Sequence, residues 1–145
     1  MKIKSLLVIN GPNMNMLGIR EPEIYGRQDY KALCEFINNS AFLLGLEIEI
    51  YQSNHEGDII DKIQASYGAF DGIVINPGGY THTSVSILDA LKAVNIPAVE
   101  VHLSDIESRE EFRKFSFVSL YAEKVIKGQG FEGYRKALEY LKENH

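Results

Sequence analysis

A chain of 145 residues that is 45% apolar and 24% charged has the composition of a globular protein, and we expect one domain spanning 1–145. Its 15 basic and 20 acidic residues give a net charge of −5, which argues against nucleic acid or an anionic membrane as a partner. The single cysteine excludes an internal disulfide. The lone cysteine, the lack of a long apolar run and the lack of a signal peptide together predict a cytoplasmic location.

The first half of the chain predicts two strands and two helices. Residues 2–10 form an apolar-rich strand that ends at Gly11-Pro12, and 46–52 alternate apolar and polar residues as a half-exposed edge strand does. Helical spacing covers 30–44, with Gly45 as the residue that ends the helix, and a second helix follows the edge strand. The side chains expected to face inward on these helices are Tyr30, Leu33, Cys34, Ile37, Ala41 and Leu44, then Ile59, Ile60, Ile63 and Tyr67.

A long irregular segment, 13–28, separates the first strand from the first helix. Most connections of this kind are far shorter, and long ordered ones are often functional lids. We expect its apolar side chains to pack inward, because a solvated loop has little use for them. They are Met14, Met16, Leu17, Ile19, Ile24 and Tyr25.

The stretch 73–86, with the sequence IVINPGGYTHTSVS, is the centre of the predicted organisation. Its first three residues are wholly apolar, as in a central parallel strand buried on both faces, and 76–79 (NPGG) end that strand. Thr81, Thr83 and Ser84 supply hydroxyls where a helix must start. The inward face of that helix is predicted from Val85, Leu88, Leu91 and Val94. Strand, polar loop and helix start in this order favour a small-ligand site.

The second half continues the same alternation of strands and helices. A strand is predicted over 96–101, and its Glu100 and His102 point to the same side because side chains alternate with period two. A short helix is predicted from Ser108, in a capping box completed by Glu111. A last short strand covers 122–126. The closing helix buries Tyr134, Ala137, Leu138 and Leu141.

Five repeats of strand and helix predict an α/β fold: a parallel sheet with helices on both faces, in a three-layer sandwich. The flavodoxin-like order 2-1-3-4-5 is favoured, although the pattern alone does not fix it. Residues 128–133 (GQGFEG) match GxGxxG, but the chain has no room for the second strand and acidic residue of a dinucleotide site. We therefore interpret them as a glycine-rich connection, with a nucleotide site as the weaker alternative.

In that strand order the loops after the first, third and fourth strands are adjacent. They collect potential site residues in one crevice, together with the long segment: Asn13, Arg20, Tyr25, Asn76, His82, Glu100, His102 and Ser104. A tyrosine near an arginine and a histidine near a carboxylate suit proton transfer, with tyrosine as base and histidine as acid. No metal site with an obvious ligand spacing is present in the sequence, and we expect no cofactor.

Two other classes remain as alternatives. A flavodoxin-like module that binds a nucleotide or phosphate without catalysis would use the loop 76–84. A receiver-type regulatory domain would need acidic residues at the end of the first strand to bind Mg²⁺. That strand ends in Ile9-Asn10-Gly11, which argues against it.

At these residues the chain resembles the type II 3-dehydroquinate dehydratase family. The blocks that carry the resemblance are 9–26 (INGPNMNMLGIREPEIYG), 52–57 (QSNHEG), 75–91 (INPGGYTHTSVSILDAL) and 100–116 (EVHLSDIESREEFRKFS), with weaker agreement over 128–134. The resemblance implies removal of water from 3-dehydroquinate through an enolate, in the shikimate pathway of aromatic amino-acid biosynthesis or in quinate catabolism. It also implies a trimer, four of which form a homododecamer.

The resemblance further implies a role for each site residue. Tyr25 matches the general base, Arg20 the residue that activates it, and His102 the general acid oriented by Glu100. Asn13 matches the residue that holds a water near the enolate oxygen. The implied contacts with the anionic substrate are Asn76, His82, Ser104, Arg113, the Leu103 backbone and, from a neighbouring subunit, Asp89.

Departures from the family pattern are mild. Asp105 stands where Asn is usual, Gly79 where Ala is common, and Phe115 where His often occurs, while 119–122 (SLYA) replace a more usual Ser-Pro-Val-Ala. The added negative charge of Asp105, beside the turn that would hold the substrate carboxylate, is expected to weaken binding slightly.

Overall fold

This computed structural model describes residues 2–19, 28–105 and 110–145. The strands within these ranges form a single parallel sheet. Its order is β2-β1-β3-β4-β5, which confirms the predicted topology. Strands β1, β4 and β5 begin two or three residues later than predicted. The bounds are β1 (Ser5–Asn10), β2 (Glu47–Gln52), β3 (Gly72–Asn76), β4 (Ala98–His102) and β5 (Lys124–Lys127).

Helices cover both faces of this sheet. They are α1 (Tyr30–Leu44), α2 (Glu56–Ala65), α3 (Val85–Val94) and α4 (Glu132–Asn144). The helices α1 and α4 pack on Leu6 and Val8 of β1, whereas α2 and α3 pack on Leu7 and Ile9. Alternation along a strand buried on both faces explains this division, because successive side chains point to opposite sides.

The local signals for helix ends match the structure. The Ser84 hydroxyl accepts the Ile87 N–H at 2.9 Å and caps α3, while Gly45 ends α1 in the left-handed region at φ 71°. Two predicted core positions are wrong. Tyr67 is 73% exposed because α2 ends at Ala65, and Val85 is 48% exposed. The buried stripe of α3 starts at Ile87 instead and follows helical spacing through Ala90, Leu91 and Val94.

The connection from β4 to β5 differs from the predicted fourth helix. Its described part contains two short 3₁₀ turns, Glu111–Arg113 and Val118–Leu120, and the predicted helix start at Ser108 lies outside the described residues. The Phe117 N–H donates to the Thr81 carbonyl at 2.7 Å, which attaches this connection to the loop after β3. Within the described ranges, no helix has the length and apolarity needed to cross a membrane.

Candidate active site

A pocket of about 500 Å³ opens where the carboxyl ends of β1, β3 and β4 meet. Seven of the predicted site residues line it: Asn13, Asn76, His82, His102, Leu103, Ser104 and Arg113. Glu100 lies directly behind His102, and Asp89 is exposed on α3 and does not line the pocket. Arg20 and Tyr25 lie outside the described residues.

Close backbone contact between the turns after β1 and β3 forms one edge of the pocket. The Gly11 N–H donates to the Asn76 carbonyl at 2.7 Å. A Cβ atom at Gly11 would lie 2.6 Å from the carbonyl oxygen of Pro77, closer than a carbon atom can approach. This contact therefore requires glycine after the first strand.

Asn13 begins the long segment in a left-handed conformation, with φ of 69°. Asparagine tolerates this region better than most residues. The Asn54 side chain accepts the Asn13 N–H at 2.9 Å, and the Gln52 amide donates to Asn54 at 3.2 Å, so the end of β2 holds this turn. Met14 packs inward as predicted, but Met16 and Ile19 are exposed, which makes the inward prediction wrong for these two residues.

Glu100 and His102 form a buried acid–base pair at the floor of the pocket. Both follow the same side of β4, and His102 Nε2 is hydrogen-bonded to Glu100 Oε2. Thr81 and Ser116 hydroxyls donate to the same oxygen, each at 2.9 Å, and the Ser119 hydroxyl donates to Oε1 at 2.6 Å. The sequence places the Thr81 hydroxyl beside the strand end but does not predict any of these three residues as a partner of Glu100.

The environment of Glu100 favours its charged form. Burial alone would raise the pKa of this carboxyl, but the hydrogen bond and charge of His102 and the Ser119 and Ser116 hydroxyls outweigh burial, and the pKa is lowered. An ionised Glu100 keeps a proton on His102 Nε2 and fixes the ring. Nδ1 remains as the ring nitrogen that can serve a ligand in the pocket.

The remaining pocket residues supply polar groups and one permanent positive charge. His82 Nδ1 donates to the Phe115 carbonyl at 2.7 Å, which leaves Nε2 as its other polar atom. Among the described lining residues Arg113 is the permanent cation, and its Nε lies 2.9 Å from a Glu110 carboxylate oxygen. The guanidinium has N–H donors besides Nε, and through them Arg113 can bind an anionic ligand.

Two residues of the glycine-rich segment 128–131, Gly130 and Phe131, also line the pocket, which sequence reasoning missed. It connects β5 to α4, and the Gly130 N–H donates to the Leu103 carbonyl at 3.1 Å. Gly130 and Phe131 thereby form a wall beside His102. The signal that could have revealed them is their position after a strand at the same edge of the sheet.

The family model described as "Dehydroquinase class II" matches residues 4–142. The chain belongs to the class II dehydroquinase family. A 3-dehydroquinate dehydratase from Clostridium acetobutylicum is 53% identical over 137 residues, covering 94% of this chain and 95% of the relative. A catabolic 3-dehydroquinase from Aspergillus oryzae is 51% identical over 141 residues, with coverage of 97% and 92%.

A solved structure in the same family matches the fold closely. The crystal structure of type II dehydroquinase from Butyrivibrio crossotus superimposes with a TM-score of 0.91 at 51% identity, covering 96% of this chain and 97% of that one. The recognition of this family from the sequence blocks and the predicted flavodoxin-like fold are both confirmed.

Proposed function

We propose that this chain removes water from 3-dehydroquinate to give 3-dehydroshikimate through an enolate, which makes it a carbon–oxygen lyase of the shikimate pathway. In this proposal the chain is a single catalytic domain that acts in the cytoplasm. The observation that carries the proposal is the buried Glu100–His102 pair at the floor of the pocket. Hydroxide is a poor leaving group, so its departure needs a positioned proton donor. The names of the relatives, 3-dehydroquinate dehydratase and catabolic 3-dehydroquinase, support the same substrate.

In this proposal the residues divide into an acid side and a base side. His102 gives a proton to the departing hydroxyl, and Glu100 keeps the ring oriented through the hydrogen bond at Nε2. Tyr25 removes the proton that generates the enolate, and Arg20 favours its phenolate; these two assignments depend on the family resemblance. Asn13 holds a water near the enolate oxygen. The contacts proposed for the substrate are Asn76, His82, Ser104, Arg113 and the Leu103 backbone.

The test is the appearance of enone absorbance when 3-dehydroquinate is added to purified protein. We expect turnover by the unmodified chain and loss of most of it in His102→Ala. His145→Ala is the matched control, because His145 also pairs with a glutamate, Glu123, at 2.5 Å but at the surface. Lack of turnover by the unmodified chain, combined with a melting shift on adding a nucleotide or flavin, would instead favour the non-catalytic binding module.

We further propose that three chains form a trimer, that four trimers form a dodecamer, and that Asp89 completes the pocket of a neighbouring chain. The support is its position: Asp89 is exposed and does not line the pocket of its own chain. An exposed aspartate is usually only a solvated charge, so the family resemblance is what favours this role.

Subunit mixing tests the shared site. Tyr25→Phe and Asp89→Ala chains should each be nearly inactive alone. After subunit exchange, some interfaces pair an intact Tyr25 with an intact Asp89, and activity should return. Activity that stays at the level of the separate variants, despite exchange shown by mass spectrometry, would contradict a shared site.

A further inference from the structure

A buried tyrosine links the ends of the two central strands. Tyr134, in the first turn of α4, is fully buried, and its hydroxyl oxygen lies 2.6 Å from Asn10 Oδ1 and 3.0 Å from Asn76 Nδ2. Asn10 and Asn76 are register partners at the ends of β1 and β3. Asn76 lines the pocket, whereas Tyr134 and Asn10 do not. The tyrosine therefore contacts a pocket residue from behind.

Three hydrogen bonds connect Asn76 to Tyr134, Tyr134 to Asn10, and Asn10 to Tyr30, and all three have the same donor-to-acceptor direction. Asn10 Nδ2 donates to the Tyr30 hydroxyl at 3.4 Å, and its Oδ1 faces Tyr134. Tyr134 donates its single hydrogen to that oxygen. Toward Asn76 the same hydroxyl can only accept, and Asn76 must present Nδ2 to it.

The other end of the Asn76 amide is fixed as well. Its Oδ1 accepts the Gly78 N–H at 3.1 Å. A flipped amide would place Nδ2 against that N–H and Oδ1 against the lone pairs of Tyr134, two repulsive contacts instead of two hydrogen bonds. Tyr134 and Gly78 together thus select one orientation.

One hydrogen of Asn76 remains available to a ligand. Its nearest acceptor is Met14 Sδ at 3.5 Å, and a thioether sulfur is a weak acceptor. Met14 also lines the pocket, so a ligand oxygen can approach the same hydrogen and bind it better. The orientation set by Tyr134 determines that Asn76 meets the ligand as a donor.

We propose that Tyr134 is a positioning residue whose hydroxyl fixes the Asn76 amide so that its second N–H donates to a hydroxyl or carbonyl oxygen of the substrate. The identity of that substrate rests on the proposed function. Tyr134→Phe keeps the buried ring and removes only the hydroxyl. It should raise KM about tenfold, the effect of one lost hydrogen bond, and change kcat by less than about threefold.

A double-mutant cycle separates positioning from general damage. Rates are measured for the unmodified chain, Tyr134→Phe, Asn76→Ala and the double variant. If Tyr134 acts through Asn76, the tyrosine substitution should have no further effect on kcat/KM in the Asn76→Ala background. Losses that multiply in the double variant would overturn the proposal. Tyr121→Phe is the control: it removes a tyrosine hydroxyl that donates to the Ile96 carbonyl at 2.6 Å, neither residue lines the pocket, and KM should stay unchanged.

Two further measurements keep the test independent of folding and of substrate identity. Asn10→Ala removes the acceptor of the tyrosine hydrogen, which lets the hydroxyl turn toward Asn76 and favour the flipped amide, so it should produce the same rise in KM. A crystal structure of Tyr134→Phe should show the Asn76 side chain displaced from Gly78. An unmoved Asn76 would overturn the positioning role, whatever the substrate proves to be. Lack of turnover by the unmodified chain would contradict only the proposed function.

Discussion

Ser119→Ala tests how the buried acid–base pair is held. Glu100 Oε2 is shared by His102, Thr81 and Ser116, whereas the donor found at Oε1 is the Ser119 hydroxyl, at 2.6 Å. Removing that hydroxyl leaves one oxygen of a buried carboxylate without this partner. The ionised form of Glu100 becomes less favourable, and its pKa must rise from its lowered value in the native protein.

The expected size follows from the chemistry of the lost contact. A hydrogen bond to a charged group contributes about 1.5–3 kcal/mol, and we expect the free energy of unfolding to fall by about that amount at neutral pH. A carboxyl whose pKa is lowered on folding stabilises the protein above its unfolded pKa, and this contribution is lost as pH falls through the folded pKa. In Ser119→Ala the contribution is smaller, so the difference in stability between the two proteins should shrink toward acid pH.

The assay is the pH dependence of kcat together with thermal unfolding. An ionised Glu100 holds the His102 ring in place through their hydrogen bond, so turnover should decline on the acid side as Glu100 protonates, and Ser119→Ala should decline at a higher pH than the unmodified chain. Ser53→Ala is the control, because it removes a serine hydroxyl that donates to a different carboxylate, Asp58, at 3.2 Å. An acid limb in Ser119→Ala that overlays that of the unmodified chain would refute the role assigned to this hydroxyl.

Three further predictions concern the base, the strand ends and covalent chemistry. Tyr25→Phe and Arg20→Ala should each lower turnover about 10²–10⁴-fold, the usual contribution of positioned proton transfer; a variant that keeps most of its turnover would contradict the assignment. Gly11→Ala should destabilise the protein by about 1–3 kcal/mol in denaturant unfolding, because its Cβ would overlap Pro77. Gly57→Ala is the control: this position in α2 has open space around it, and the substitution should be neutral or slightly stabilising. Borohydride added with substrate should leave activity intact, since no lysine is among the described residues that line the pocket and Lys92 lies exposed near the end of α3; a substrate-sized mass adduct on a lysine would contradict this.

The features that sequence predicts well are those set by local chemistry. Period-two alternation places Glu100 and His102 on one side of β4, and the structure joins them by a hydrogen bond. Capping rules locate the start of α3 at Ser84 and the end of α1 at Gly45. The strand order is favoured by the sequence but not fixed by it, because the alternation of strands and helices is compatible with several orders.

The features that sequence misses depend on contacts between distant residues. Ser116 and Ser119 approach Glu100 only because the connection from β4 to β5 folds back onto the loop after β3, and no local pattern encodes that path. Tyr134 has the spacing of an ordinary core residue, so its hydroxyl cannot be assigned a partner until the ends of β1 and β3 are adjacent. The inward prediction for Tyr67 fails because apolar spacing continues beyond the last helical residue.

Because side chains alternate along β3 and β4, the residue proposed to position the substrate and the pair proposed to donate the proton are supported from opposite faces of the sheet. Asn76 shares its side of β3 with Val74 and is held by Tyr134, among the side chains packed under α1 and α4. Glu100 shares its side of β4 with Ala98, which packs under α2 and α3. In the proposed mechanism, substrate positioning and proton donation thus use separate hydrogen-bond networks on opposite faces of one sheet, and the two networks meet at the pocket. Residues without shared partners contribute nearly additively, and the losses in kcat/KM caused by Tyr134→Phe and Ser119→Ala should therefore multiply when the two are combined.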